Sequence, residues 1–182
     1  MKKTRIIAAC TLLVLALFFL LPLTGGVGGD FTLTDQEGKS FNTTSLRGKY
    51  VLVFFGFTHC PDVCPTTLYK ISDVLRQINR QKVSVAAVFV SVDPEHDTPY
   101  ELKSYLKHFD PGIVGLTGTK KQVARAKSLY SVYGEVNPGQ EVEHSTSVYL
   151  IDAKGKYLTH FSVDDAVEDI LSRVEDYIHA QG

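Results

Sequence analysis

The chain has 182 residues, of which 44% are hydrophobic and 21% charged, and its formal net charge is −1. This length suits a single domain with room for a membrane segment, and the composition is that of a globular protein. Neither this charge nor the mildly acidic balance of the part after residue 24 offers the basic stripe that nucleic-acid binding needs, so we expect no nucleic-acid partner.

The first 24 residues have the pattern of an export signal. Lys2, Lys3 and Arg5 precede an uncharged apolar run at 6–23, which predicts a cytoplasmic N-terminus and an exported remainder. A cleaved signal peptide and a retained anchor are the two alternatives. The run is long for a signal core, and no clear small-x-small cleavage site precedes the glycine-rich stretch at 25–29. We therefore predict a membrane anchor at 1–24, a tether at 25–29 and an exported domain at 30–182.

The exported part would be mildly acidic and would contain two of the three cysteines. Removing three of the 19 basic residues leaves 16 against 20 acidic ones, a formal charge of −4. Cys10 lies inside the apolar run and is predicted to be a buried apolar residue with no further role.

A strand followed by a helix places the other two cysteines at a junction. The apolar run at 51–57 is typical of a strand buried on both faces of a parallel or mixed sheet. Cys60 and Cys64 follow it, and a helical pattern comes next, formed by Leu68, Ile71, Leu75 and Ile78. Cys64 is thus expected at or near a helix N-terminus, where the dipole favours a thiolate.

The spacing of four residues lets Cys60 and Cys64 bridge each other or hold one soft metal ion. A fixed disulfide is the alternative, but it would close so small a loop that it would restrict the unfolded chain little. The carboxyl end of a central strand is where open α/β sheets place functional groups, which favours a working pair. In an oxidising compartment such a pair must be kept reduced or used as a redox couple.

The remaining elements predict a thioredoxin-like α/β fold with an N-terminal β-hairpin and an inserted helix. The hairpin covers 31–42, and a second strand at 82–92 ends before Asp93 and Asp97. If this strand runs parallel to the first, both aspartates come close to the thiols. Helices starting after Thr98 and Thr119, a short strand at 113–116, a hairpin at 147–161 and a helix at 164–180 complete the order.

His144 precedes the strand that faces the dithiol in such a fold. Two thiolates and one imidazole, from Cys60, Cys64 and His144, suit Cu(I) and tolerate Cu(II) when an oxygen ligand joins. Zinc accepts the same set and would keep an open fourth position. The other histidines are predicted to be surface residues: His59, His96, His108, His160 and His179.

Three motifs in order resemble the Sco/SenC family of copper chaperones: FGFTHCPDVCP at 55–65, VSVDPEHDTP at 90–99 and HSTSVYLID at 144–152. The resemblance extends from about residue 31 to the closing helix and includes the single N-terminal anchor. It implies a thioredoxin-like fold and delivery of copper to the binuclear site of cytochrome c oxidase, with subunit II as partner. It also implies membrane attachment facing the periplasm or the intermembrane space. We predict the bacterial inner membrane, with one span and a periplasmic domain.

Carried over by position, the family ligands are Cys60, Cys64 and His144. Asp93 and Asp97 match the family's acidic motif beside the site, although a proline turn and a helix start would account for both equally. Other periplasmic copper carriers or thiol reductants are further expected partners.

Two functions follow from this resemblance, and whether the protein is an enzyme stays open. A copper carrier would release the metal to a partner's thiols. A thiol–disulfide reductase would attack through Cys60 and resolve through Cys64. A peroxiredoxin is a more distant alternative, because Thr58 is one residue too close to Cys60 for the peroxidatic motif, and the loop lacks its upstream proline.

Overall fold

The computed structural model describes residues 26–80, 84–133 and 147–180. The predicted anchor, Gly25 and the predicted ligand His144 lie outside these residues. The strands are β1 Thr32–Asp35, β2 Ser40–Asn42, β3 Tyr50–Gly56, β4 Val85–Ser91, β5 Ile113–Thr117, β6 Ser147–Ile151 and β7 Tyr157–Ser162. The helices are α1 Val63–Asn79, α2 Pro99–Leu106, α3 Lys120–Leu129 and α4 Val167–His179, with a short 3-10 helix at Thr43–Leu46. Within these three ranges, no helix combines the length and hydropathy needed to cross a membrane.

A seven-stranded mixed sheet forms the centre of the domain, in the order β2-β1-β5-β4-β3-β6-β7. Strands β3, β4 and β5 are parallel, whereas β6 and β1 flank them in the antiparallel direction. Helices cover both faces of the sheet, as is usual where the central strands are parallel. The predicted α/β thioredoxin-like fold with an N-terminal hairpin is confirmed.

Strand β3 lies in the middle of the sheet and contributes to two cores. Leu52 and Phe54 face the side covered by α1, α2 and α4. Val53 and Phe55 face the side covered by α3. Since successive side chains of a strand point to opposite faces, an apolar run without alternation is the pattern of a strand covered twice.

The register of β3 and β4 brings their carboxyl ends together. Gly56 pairs with Ser91 at the end of the ladder, and the Val92 N–H donates to the Gly56 carbonyl at 2.8 Å. The loops that follow the two strands therefore leave the sheet at one edge. This is the arrangement that the sequence predicts for the cysteines and the two aspartates.

The closing helix begins at Val167 rather than at 164, which corrects the sequence expectation. Residues 163–166 form a turn in which the Asp165 carboxylate accepts from the Ser162 N–H at 3.1 Å. The Lys70 ammonium donates to the carbonyls of Val163 and Asp165 at 2.6 and 2.9 Å. These contacts fasten the turn to α1 just before the helix begins.

The end of the predicted tether contacts the domain. The Gly28 N–H donates to the Leu129 carbonyl at 2.7 Å, and Val27 packs against the α3-side core. A Cβ on Gly28 would lie 3.2 Å from that of Tyr157, and its φ of 101° is one that glycine adopts most easily. The division into anchor, tether and domain stays a prediction.

Candidate dithiol site

The two cysteines lie at the junction between β3 and α1, as predicted. Both are free thiols; Cys60 is half-buried in the connecting loop, and Cys64 is fully buried as the second residue of α1. The Cys64 N–H donates to the Cys60 sulfur at 3.4 Å. The N-terminus of α1 is therefore directed at Cys60 rather than at Cys64.

The expected thiolate at Cys64 is not supported. Burial raises the pKa of the Cys64 thiol well above its ordinary value, since the charged form loses its hydration. The Phe57 N–H donates to this sulfur and opposes the shift, but the nearby charges of Cys60 and Asp97 add to it. The sequence places Cys64 on the helix, but only the packing around it reveals that desolvation outweighs the dipole.

Gly56, which the sequence analysis did not single out, makes room for the Cys64 sulfur. A Cβ at this position would lie 2.8 Å from the sulfur of Cys64 and 2.8 Å from Cε2 of Phe89, closer than real atoms approach. The sequence does contain a signal for this role: a glycine inside a β-rich run often marks a place where another group packs close to the strand backbone.

Asp97 connects the two loops at this edge of the sheet. Its side chain is 0% exposed, and its carboxylate accepts from the Thr58 N–H at 3.1 Å and from the Thr58 hydroxyl at 2.5 Å. It also accepts from the Ser91 hydroxyl at 2.6 Å. Because Thr58 is two residues before Cys60, these bonds hold the cysteine loop against the end of β4.

Asp93 occupies a more peripheral position than Asp97. Its carboxylate lies 2.9 Å from the Nδ1 of His96, and its N–H donates to the Ser91 hydroxyl at 3.0 Å. The two acidic residues therefore differ. Asp97 is fully buried and supports the cysteine loop, whereas Asp93 lies nearer the surface, next to the exposed His96.

The histidines predicted to lie on the surface do so. His59 and His96 have 68% and 62% of their side chains exposed, and their rings lie 6.4 Å apart beside the dithiol. The others are also exposed: His108, His160 and His179. His160 bonds through Nδ1 to the Tyr157 hydroxyl at 2.8 Å.

Within the described ranges, no group of three or more His, Cys, Asp or Glu side chains is placed to hold a metal. The structure thus brings together two of the predicted ligands, Cys60 and Cys64. Strand β6 starts at the edge of the sheet where β3 ends and the cysteine loop begins, because β6 runs antiparallel to β3 and pairs Val148 with Phe54. His144, three positions before this strand, lies outside the described residues.

A mixed sheet with a free dithiol between its central strand and the following helix defines a thioredoxin-like protein. Comparison with known proteins then gives the family. The SCO1/SenC family model matches residues 22–179, and the chain belongs to this family.

Individual relatives are similar over most of the chain. The SCO2-like protein of Rickettsia felis is 44% identical over 151 residues, which cover 80% of this chain and 74% of that protein. Bradyrhizobium japonicum ScoI, solved with copper bound, is 42% identical with a TM-score of 0.75, covering 84% of this chain and 99% of that one. The structure of BsSco, reported with a disulfide switch and as a member of the Sco family of cytochrome c oxidase assembly proteins, is 28% identical. Its TM-score is 0.71, with 84% of this chain and 93% of that chain covered.

Replacing Gly56 by alanine tests the close packing around the Cys64 sulfur. We expect Gly56→Ala to lower the free energy of unfolding by about 1–3 kcal/mol, because the added methyl forces the sulfur or the Phe89 ring to move. Urea unfolding of the reduced protein measures this. Gly26→Ala is the control, since a Cβ there meets nothing within 4 Å. Equal effects of the two substitutions would contradict the packing argument.

Removing the Asp97 carboxylate should loosen the cysteine loop. Asp97→Ala leaves the Thr58 amide and hydroxyl and the Ser91 hydroxyl without their acceptor, at a cost of about 3 kcal/mol in unfolding free energy. Asp93→Ala is the matched control and should cost less than about 1 kcal/mol, because its partner His96 is largely exposed. Thiol labelling of the folded protein should show faster modification of Cys60 only in Asp97→Ala. Unchanged labelling would mean that the carboxylate does not position the loop.

Proposed function

We propose that this domain binds copper, as Cu(I) or Cu(II), and delivers it to the binuclear copper site in subunit II of cytochrome c oxidase. The ligands in this proposal are Cys60, Cys64 and His144. The observation that carries it is the pair of free thiols held at one edge of the sheet by a helix N-terminus and a buried carboxylate. Copper is the cargo, and the related Bradyrhizobium protein was solved with copper bound.

The donor set suits this cargo. Two sulfurs four residues apart are soft ligands, which select Cu(I) over harder cations. Burial leaves the Cys64 sulfur with a raised pKa, so a bare thiolate is unfavourable there. A cation bound at the site would supply the missing positive charge, and ligation would release the thiol proton.

The third ligand comes from the sequence motif and from the direction of β6. The motif at 144–152 matches the family, and β6 enters the sheet at the edge where β3 ends. An imidazole from the segment before this strand would complete a site with two sulfurs and one nitrogen. Asp93 and Asp97 are proposed to support the site from outside the ligand set, Asp97 through Thr58.

The unequal exposure of the two sulfurs suggests an order of release. Cys60 is half-buried and reachable, whereas Cys64 is fully buried. A partner's thiolate would first replace Cys60 and then Cys64, so that the cargo is never without a sulfur ligand.

The proposed location is the bacterial inner membrane, with a single span at 1–24 and the domain in the periplasm. The basic residues and apolar run of the N-terminus support this orientation. Periplasmic copper carriers or thiol reductants would supply the cargo or keep the dithiol reduced. BsSco's membership of a family of cytochrome c oxidase assembly proteins supports the choice of oxidase partner.

Copper titration of the reduced full-length chain tests the ligand assignment. We expect one Cu(I) per wild-type chain and an affinity lowered at least tenfold in Cys60→Ser, Cys64→Ser and His144→Ala, because each change removes one of three donors. Competition with a chromogenic chelator measures this. His108→Ala is the control, since His108 is exposed and outside the proposed site. Wild-type affinity in His144→Ala and Cys64→Ser would contradict the assignment.

A thiol–disulfide reductase is the second candidate, favoured by the pairing of a reachable with a buried cysteine. The Cys60 thiolate would attack a partner disulfide, forming a mixed disulfide and releasing one partner thiolate. Cys64 would then attack the Cys60 sulfur, releasing the second partner thiolate, and the protons of the dithiol would pass to the products. The domain would end as the Cys60–Cys64 disulfide and would need an external dithiol reductant to return.

The two candidates differ in their turnover without metal. With the burial of Cys64 opposing its ionisation, we expect the metal-free dithiol to reduce a model disulfide peptide slowly, at about the rate of a simple thiol. Cys64→Ser, which retains Cys60 alone, provides the reference. Turnover far above this reference in the presence of a dithiol reductant would establish the reductase and reject a pure carrier.

A further inference from the structure

Two largely exposed histidines lie next to each other at the edge of the sheet that carries the dithiol. His59 belongs to the loop after β3 and His96 to the loop after β4, and their ring centroids are 6.4 Å apart. A bond from a metal ion to an imidazole nitrogen is about 2 Å long, so an ion held between two rings separates their centres by about 5 to 6 Å. The two rings are therefore close to the separation that a shared ion requires.

Hydrogen bonds fix which nitrogen of the neutral His59 ring carries the proton. The Thr58 hydroxyl has one proton and donates it to the Asp97 carboxylate at 2.5 Å. The His59 Nδ1 lies 3.1 Å from the same hydroxyl oxygen. Since that oxygen has no second proton to donate, the ring must donate from Nδ1, and its Nε2 keeps a lone pair.

His96 has the same tautomer for a more direct reason. Its Nδ1 lies 3.0 and 2.9 Å from the two carboxylate oxygens of Asp93. An ionised carboxylate only accepts hydrogen bonds, so Nδ1 donates and Nε2 again keeps a lone pair. A carboxylate behind the protonated nitrogen is the arrangement that orients metal-binding histidines and makes their other nitrogen a better ligand.

The surroundings of the two rings favour a cation. Among the described residues, neither Nε2 has a hydrogen-bond partner, and both side chains are more than half exposed. The Asp97 carboxylate lies 3.9 Å from the Nδ1 of His59, and the Asp93 carboxylate lies 2.9 Å from the Nδ1 of His96. Negative charge thus lies behind both rings, whereas their unprotonated nitrogens remain available as ligands.

We propose that His59 and His96 together bind one Cu(II) ion through their Nε2 atoms, with water in the remaining coordination positions. Imidazole suits Cu(II), which such ligands bind more tightly than the other divalent first-row ions. This second site uses neither sulfur, although His59 directly precedes Cys60 in the same loop. Its use as a holding position for copper at the entrance to the dithiol rests on the proposed copper function, whereas binding of the ion does not.

Cu(II) titration of the full-length chain carrying Cys60→Ala and Cys64→Ala tests the site, because the thiols then no longer compete for copper. We expect one Cu(II) per chain and an electron paramagnetic resonance spectrum with nitrogen ligands. A further His59→Ala or His96→Ala should lower the affinity at least tenfold, since a single imidazole remains. The wild-type chain oxidised to the Cys60–Cys64 disulfide provides a second background without substitutions at the cysteines.

His160→Ala is the matched control. His160 is also exposed and also bonds through Nδ1, but its neighbouring rings are those of Tyr149 and Tyr157. The Cu(II) affinity of this variant should equal that of its parent. An equal loss in His160→Ala would mean that any surface histidine contributes, and it would overturn the proposal.

The role of Asp93 has its own readout. Asp93→Ala removes the acceptor behind His96 and should lower the Cu(II) affinity about tenfold. Asp93→Asn should recover part of this loss, because its amide oxygen still accepts from Nδ1. Equal affinities in the two variants and the parent would contradict the orienting hydrogen bond on which the site depends.

Two further outcomes separate this site from the proposed copper function. Parent-like Cu(II) affinity in both His59→Ala and His96→Ala, with a loss in His144→Ala, would assign the ion to the remaining ligand of the dithiol site and reject the two-imidazole site. If reduced wild type fails to bind Cu(I) while the thiol-free chain binds Cu(II) through His59 and His96, the copper-carrier proposal is rejected and the two-imidazole site stands.

Discussion

The arrangement of the site depends on one buried carboxylate. Asp97 accepts hydrogen bonds from Thr58, in the loop after β3, and from Ser91, at the end of β4. Its side chain is fully buried. A buried carboxylate is tolerated only where donors surround it, so the two loops must keep their relative position to satisfy it. The position of Cys60 follows, since Thr58 lies in the same loop, two residues before it.

The two sulfurs that result are chemically different. Cys60 is reachable and receives the backbone N–H that the α1 terminus offers, whereas Cys64 is fully buried, and burial raises the pKa of its thiol. In the proposed copper carrier, the buried sulfur would hold the ion while the reachable sulfur exchanges it. The same asymmetry gives a reductase its attacking and resolving thiols, which is why the carrier and the reductase are closely related proposals.

Much of this could be predicted from the sequence, because the relevant signals are local. The uninterrupted apolar run of β3, the helical spacing in α1 and the Thr119–Gln122 capping box all appear in the structure. The start of α4 could not be predicted in the same way. Lys70, nearly a hundred residues earlier in the chain, donates to the carbonyls of Val163 and Asp165 in the turn before that helix.

The sequence by itself determined the order of the elements, the pairing of two cysteines four residues apart with two aspartates after the next strand, and the family resemblance. These depend on spacing along the chain and on periodicity. Only the tertiary structure decided which cysteine is buried, why Gly56 must lack a side chain, and which aspartate supports the loop. It also showed that the Tyr105 hydroxyl is buried without a hydrogen-bond partner among the described residues. Burial and electrostatic environment are set by residues distant in sequence, and the spacing of local motifs contains no record of them.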